Sequence, residues 1–90
     1  MKQLVRATKQ FDRDLRRAKR RGENLEVLWR VIEALKEGRR LETRHRVHKL
    51  SGDWVGFWEC HVEPDWLLIW RLTEDALILV RTGTHSDIFE

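Results

Sequence analysis

Cys60-His61-Val62-Glu63-Pro64-Asp65-Trp66 is the stretch on which the fold turns. A proline cannot donate into a β-ladder, so Pro64 does not belong inside a strand. Followed by Asp65, it reads as a hairpin turn. The flanking residues then become strands, Trp54–Val62 before the turn and Trp66–Leu72 after it. Gly56 marks a bulge or a close backbone approach. Trp66–Leu72 is apolar on both faces except for Arg71, as expected of a central strand. Thr73-Glu74-Asp75 supplies the next turn, and Ala76–Thr82 a third strand that Gly83 ends. The C-terminal half is thus an antiparallel meander, with Thr84–Phe89 as a short tail.

Outward toward the N-terminus the period changes from two to 3.6. Thr8 suits an N-cap for a helix running to about Arg21, with Phe11, Leu15 and Ala18 on one narrow stripe. Gly22 breaks it. Asn24 caps a second helix, whose Leu25, Leu28, Trp29, Ile32 and Leu35 recur at three- and four-residue intervals until Gly38. Two helices joined so closely form a hairpin, and the strands are the only surface that can cover its apolar face. Lys2–Ala7 reads as a short edge strand, and Arg39–Asp53 as a long basic loop. The expectation is one α+β domain, residues 1–90, ordered β-α-α-β-β-β, with the helical hairpin packed on an antiparallel sheet.

Ninety residues give room for one core. A single cysteine excludes a disulfide framework and fits a reducing compartment. No apolar run approaches the roughly 18 residues of a membrane span, and no signal-peptide core is evident, so a cytoplasmic location is expected. Charge is divided unevenly. Residues 1–46 carry 15 Lys/Arg against 7 Asp/Glu, and residues 47–90 carry 3 against 8. A basic helical half joined to an acidic strand half suggests a polyanion as partner, nucleic acid first.

The meander places the Glu63-Pro64-Asp65 turn and the end of the last strand at one end of the sheet. His61, Asp65, Trp66 and His85 therefore converge, with Arg81 directed to that site or to the opposite face. Histidine takes either proton role near neutral pH. An arginine stabilises phosphorane charge, and a tryptophan stacks on a splayed base. That set suits metal-independent cleavage of RNA through its 2′-OH. Two His and a carboxylate also match a metal facial triad, although no H-x-x-x-H or Cys pair accompanies them. Cys60 alternates away from His61 and reads as core. Trp54, Trp58 and Trp70 read as packing residues.

Three segments together carry a resemblance: His48-Lys-Leu-Ser-Gly-Asp-Trp54, Glu59-Cys-His61-Val-Glu-Pro-Asp65-Trp66-Leu-Leu-Ile, and Arg81-Thr-Gly-Thr-His85-Ser-Asp-Ile-Phe89. They resemble the YafQ branch of the RelE/ParE superfamily of bacterial type II toxins, over nearly the whole chain. The resemblance implies a RelE-like fold and a ribosome-dependent endoribonuclease that cuts mRNA in the A site. It further implies contacts to 16S ribosomal RNA, inhibition by a cognate antitoxin, and no cofactor. It assigns activity to His48, His61, Asp65, His85 and Phe89, with Trp66 and Arg81 in support. The roles it suggests are His48 with Asp65 as base, His85 as acid and His61 orienting substrate. Arg16, Arg17 and Arg20 of the first helix, and Lys49 in the basic loop, would grip RNA. The loop Leu41–Val47 departs from the family's usual prolines, tyrosine and aspartate, and Trp70 stands where tyrosine is usual. The alternatives are a binding toxin of the same fold without nuclease activity, and a metal-dependent hydrolase using His61, Asp65 and His85.

Overall fold

The computed structural model describes residues 3–90. Its elements are β1 (Leu4–Ala7), α1 (Lys9–Arg20), α2 (Leu25–Lys36), β2 (His48–Lys49), β3 (Trp58–Glu63), β4 (Trp66–Leu72), β5 (Ala76–Gly83) and α3 (His85–Phe89). Two single 3-10 turns, Thr43–His45 and Gly52–Trp54, flank β2.

The local signals for the helices hold. Thr8 Oγ1 accepts from the Phe11 amide, and Asn24 accepts from the Glu26 amide, so each helix starts on a side-chain cap. At the other end of α2 the Gly38 amide donates to Leu35 and the Arg39 amide to Ala34. That paired closure needs a left-handed residue, and Gly38 has φ 72°. The Thr8 hydroxyl also donates to the Val80 carbonyl at 2.9 Å, which fixes the start of α1 to β5.

The sheet has the order β1-β5-β4-β3-β2. It is mixed, not antiparallel throughout: β1 runs parallel to β5, from Leu4 opposite Ala76 to Ala7 opposite Leu79. The helical hairpin makes the crossover that a parallel pair requires. The part of the expected first strand at Lys2 lies outside the described residues. The β3–β4 hairpin turns at Pro64 as expected, with a register shift between His61 and Glu63. Gly56 sits ahead of β3 at φ 94°, so the irregularity within the strand falls at Val62 instead. Trp54 precedes the strand, in a 3-10 turn. Inside the basic loop, β2 adds a fifth strand by pairing His48 with Glu59 and Lys49 with Trp58. The C-terminal tail is a capped helical turn.

Alternation along the strands divides the molecule into two layers. Cys60, Val62, Trp66, Leu68, Trp70, Leu77 and Leu79 face α1 and α2, where Phe11, Leu28, Val31 and Ile32 complete the main core. Each such fully buried side chain stabilises the fold by about 1.5–3 kcal/mol. On the other face Leu67 and Ile69 pack against Ile88 of α3, with Leu50, Trp54, Phe57 and Val80 around them. The candidate site lies on this second face. No helix among the described residues is long and apolar enough to cross a membrane.

Candidate active site

Strand register sets out the site as two rows on the face opposite the helical hairpin. One row runs His48, Glu59, Ile69, Arg81 across four strands, and the next runs His61, Leu67, Gly83 across three. At one strand spacing per step, His61 and Gly83 stand about 10 Å apart with Leu67 between them. Two residues past Gly83, α3 begins with His85.

Three histidines are oriented by main-chain carbonyls, which can only accept. His61 Nδ1 donates to the Pro64 carbonyl at 3.0 Å, so a neutral ring keeps its lone pair on Nε2. His48 Nδ1 donates to the Arg46 carbonyl at 2.6 Å, and its Nε2 lies 3.2 Å from Glu59 Oε1. Both nitrogens of His48 thus face acceptors. His45 Nδ1 donates to the His61 carbonyl at 2.6 Å. Asp65 and His85 do meet: the His85 amide donates to Asp65 Oδ1 at 3.4 Å, at the start of α3. The His85 ring lies 5.5 Å from that of Phe89, and Phe89 meets Trp54 edge-on at 5.8 Å.

A five-residue helix has no stability of its own, and α3 is held by its surroundings. Thr84 and Asp87 form a reciprocal capping box. Arg21 donates to both oxygens of Asp87, at 2.7 and 3.1 Å, and Arg81 donates to the Asp87 carbonyl at 3.3 Å. The Arg21 hydrogen bonds, with Thr84 and the nearby Arg17, hold the Asp87 carboxyl well below the usual carboxylate range despite partial burial. Gly83 makes room for this arrangement. A Cβ there would meet Asp87 Oδ2 at 2.8 Å, and its φ of 151° disfavours other residues.

Several expected RNA contacts are otherwise engaged. Trp66 is 3% exposed on the helix face, and its Nε1 donates to Thr82 Oγ1 at 2.8 Å. It is a core residue and not a stacking platform, because the two-residue period links it to Leu68 and Trp70. Arg81 Nε donates to Asp14 Oδ2 at 2.7 Å, and Arg17 to Asp14 Oδ1 at 2.9 Å. Both arginines therefore join α1, β5 and α3, and do not reach out toward a ligand. Lys49 lies over the Trp58 ring at 5.2 Å, on the opposite side of β2 from His48. Arg16 and Arg20 are exposed on α1.

Three residues that the sequence reading passed over prove central. Asp14 is buried and also accepts from the Thr82 amide at 3.1 Å. Burial raises its carboxyl, but hydrogen bonds from Arg81, Thr82 and Gln10 prevail and the net shift is downward. Its signal was the spacing Phe11, Asp14, Ala18 on one helical stripe. Glu59 is buried beneath His48, with Oε2 lacking any hydrogen-bond partner. His45 is buried beside His61. Cys60 is core as expected, and burial, with the Glu59 charge, pushes its thiol up to about 12, which removes it as a nucleophile. Among the described residues no three His, Cys, Asp or Glu side chains gather as a metal ligand set.

A helical hairpin on one face of a small mixed sheet, with histidines and a capped C-terminal turn on the other, defines a compact α+β domain with a candidate site on its open face. Residues 3–90 match the family described as bacterial toxin of type II toxin–antitoxin system, YafQ, and the chain belongs to that family. The mRNA interferase toxin YafQ of Escherichia coli K12 is 36% identical over 81 residues, covering 89% of this chain and 88% of that one. The toxin in the E. coli DinJ–YafQ toxin–antitoxin complex superposes with a TM-score of 0.91 at 32% identity, over 100% of both chains. A metal-bound toxin from Helicobacter pylori superposes with a TM-score of 0.91 at 35% identity, over 99% of this chain and 100% of that one.

Proposed function

We propose that this chain is an mRNA interferase, an endoribonuclease toxin that cuts mRNA in the ribosomal A site of a bacterium and is restrained by a cognate antitoxin. Its family, its named relatives and the DinJ-bound neighbour support this reading. Action on ribosomes implies a cytoplasmic location and contacts to 16S ribosomal RNA as well as mRNA.

The observation that carries the mechanism is the hydrogen bond from His61 Nδ1 to the Pro64 carbonyl. It leaves Nε2 with a lone pair, and His61, in place of His48, is the base. The 2′-oxygen of the substrate loses its proton to His61 Nε2 and attacks the adjacent phosphorus. The bond from phosphorus to the 5′-oxygen breaks, and that oxygen takes a proton from His85. The products are a 2′,3′-cyclic phosphate and a 5′-hydroxyl. His48, backed by Glu59, supplies positive charge to the phosphorane. Asp65 receives the His85 amide and orients the start of α3, and the half-exposed Phe89 stacks on a base. Arg81 and Trp66 support the site from behind, through Asp14 and Thr82.

The test is mRNA cleavage mapping in a translation extract with purified wild type, His61→Ala and His85→Ala. Each variant is expected to lose at least a hundredfold in cleavage rate while keeping its thermal midpoint. Wild-type cleavage that survives in both folded variants would reject the assignment. Absence of cleavage by the wild type itself would favour a binding toxin.

A further inference from the structure

We infer that the turn Arg44-His45-Arg46 forms a subsite for a nucleotide of the RNA substrate flanking the cleaved bond; this rests on the nuclease reading above. A pocket of about 310 Å³ opens beside His61, lined by Arg44, His45, Arg46, His61, Glu63 and Pro64, together with Val62. That volume is at the lower end of small-ligand sites and suits a single nucleotide.

The segment is tied to the site at two points. His45 donates to the His61 carbonyl, and the Arg46 carbonyl receives His48 Nδ1. Three consecutive residues thus line the pocket and meet two of the site histidines, His61 through its carbonyl and His48 through its ring. Arg46 is the one non-glycine residue with positive φ among those described, at 47°. A left-handed arginine costs stability, and such strain collects at functional positions. Here the left-handed turn lets Arg44 and Arg46 line the same pocket while the intervening His45 is buried between them.

The chemistry of the lining fits a nucleotide. Arg44 is largely exposed, with only a 3.5 Å contact to Glu42, and Arg46 has no ion pair among the described residues. Glu42 lies against Arg44 and Glu63 is the lining carboxylate, so Arg46 is the guanidinium without an ion-pair partner among the described residues, and guanidinium forks match phosphate oxygens. Pro64, which is exposed, supplies an apolar edge for a base. With His45 Nδ1 donating to a carbonyl, Nε2 is the ring nitrogen left to accept from a base amino group or a ribose hydroxyl. Because His61 lines the same pocket, the nucleotide held there is the neighbour of the one attacked.

The test uses a short fluorescein-labelled 2′-O-methyl RNA, which cannot be cut whichever residue acts as base, so binding and cleavage fail independently. The full chain is compared with Arg44→Gln/Arg46→Asn, since asparagine tolerates the left-handed conformation. A charge-matched control, Arg6→Gln/Arg71→Gln, lies at the far end of the sheet. The pocket variant is expected to bind at least tenfold more weakly. Its log–log salt slope should shrink by about 1.4, or about 0.7 for each phosphate left without its arginine. Unchanged affinity and slope, or an equal loss in the control, would overturn the subsite. A second arm measures binding to vacant and to mRNA-programmed ribosomes. A loss confined to programmed ribosomes supports a substrate subsite. An equal loss on vacant ribosomes would assign the arginines to ribosomal RNA and overturn it.

Discussion

Replacing Asp14 by alanine is expected to be among the most damaging single changes in this chain. The carboxylate is buried on α1 and accepts from Arg81 at 2.7 Å, Arg17 at 2.9 Å, Gln10 at 3.1 Å and the Thr82 amide at 3.1 Å. Alanine leaves the Arg81 guanidinium, itself mostly buried, without its counter-charge, and strips the Thr82 amide of its acceptor. Removing one partner of a buried ion pair costs about 3–5 kcal/mol. For a chain of this length that corresponds to a thermal midpoint lower by roughly 15–30 °C. Asp14→Asn keeps an acceptor for Thr82 but not the charge, and is expected to cost about 1–3 kcal/mol. Urea unfolding followed by tryptophan fluorescence measures both. A loss below about 1 kcal/mol for Asp14→Ala would mean that water reaches the pair, and the account of α1 anchoring β5 through this carboxylate would be wrong.

Other expectations follow from the same geometry. Gly83→Ala drives a methyl group into Asp87 at a backbone angle suited to glycine, and is expected to cost roughly 1–3 kcal/mol, with cleavage falling further than stability because α3 shifts; parallel unfolding and cleavage assays check this. The depressed carboxyls of Asp14 and Asp87 contribute stability that is complete above the ordinary carboxylate value of 3.8 and is lost as pH falls toward their folded values. Acid titration should therefore show a falling limb below about pH 4 that is shallower in Asp87→Asn. Trp66→Phe should cost about 1 kcal/mol for the hydrogen bond to Thr82 and leave RNA affinity unchanged, whereas a stacking role would lower affinity in the binding assay. Leu28→Ala opens a cavity in the helix-face core and should cost about 2–5 kcal/mol in urea unfolding with substrate affinity intact.

What the sequence made legible was mostly local. Pro64, Thr8, Asn24 and Gly38 each act through neighbours a few residues away, and the turn, both caps and the helix end fall where those residues place them. The convergence of Asp65 with His85 followed from meander topology alone. The parallel pairing of β1 was hidden because its partner lies about seventy residues away and β1 is exposed throughout. Trp66 was misread because the turn drew attention to its neighbours, while the alternation Trp66, Leu68, Trp70 already put it on the core side. Arg17 and Arg81 looked like nucleic-acid contacts because charge composition does not reveal that Asp14 and Asp87 take up that charge. Glu59 and His45 carried no local signal: one gains meaning from β2 lying across it, the other from the His61 carbonyl.

The dependence of α3 on its tethers has a consequence for how activity is governed. A single turn that carries both His85 and Phe89 is expected to open more readily than the sheet, and in the proposed mechanism only its docked state brings His85 to the substrate. Each 1.4 kcal/mol by which docking is weakened beyond the midpoint reduces the docked fraction about tenfold. The sheet and the helical hairpin need not loosen at all. Amide exchange at Asp87 and Ile88 would therefore follow turnover more closely than any thermal midpoint does. If the proposed mechanism holds, whatever grips α3 would act as a rheostat on the chemistry.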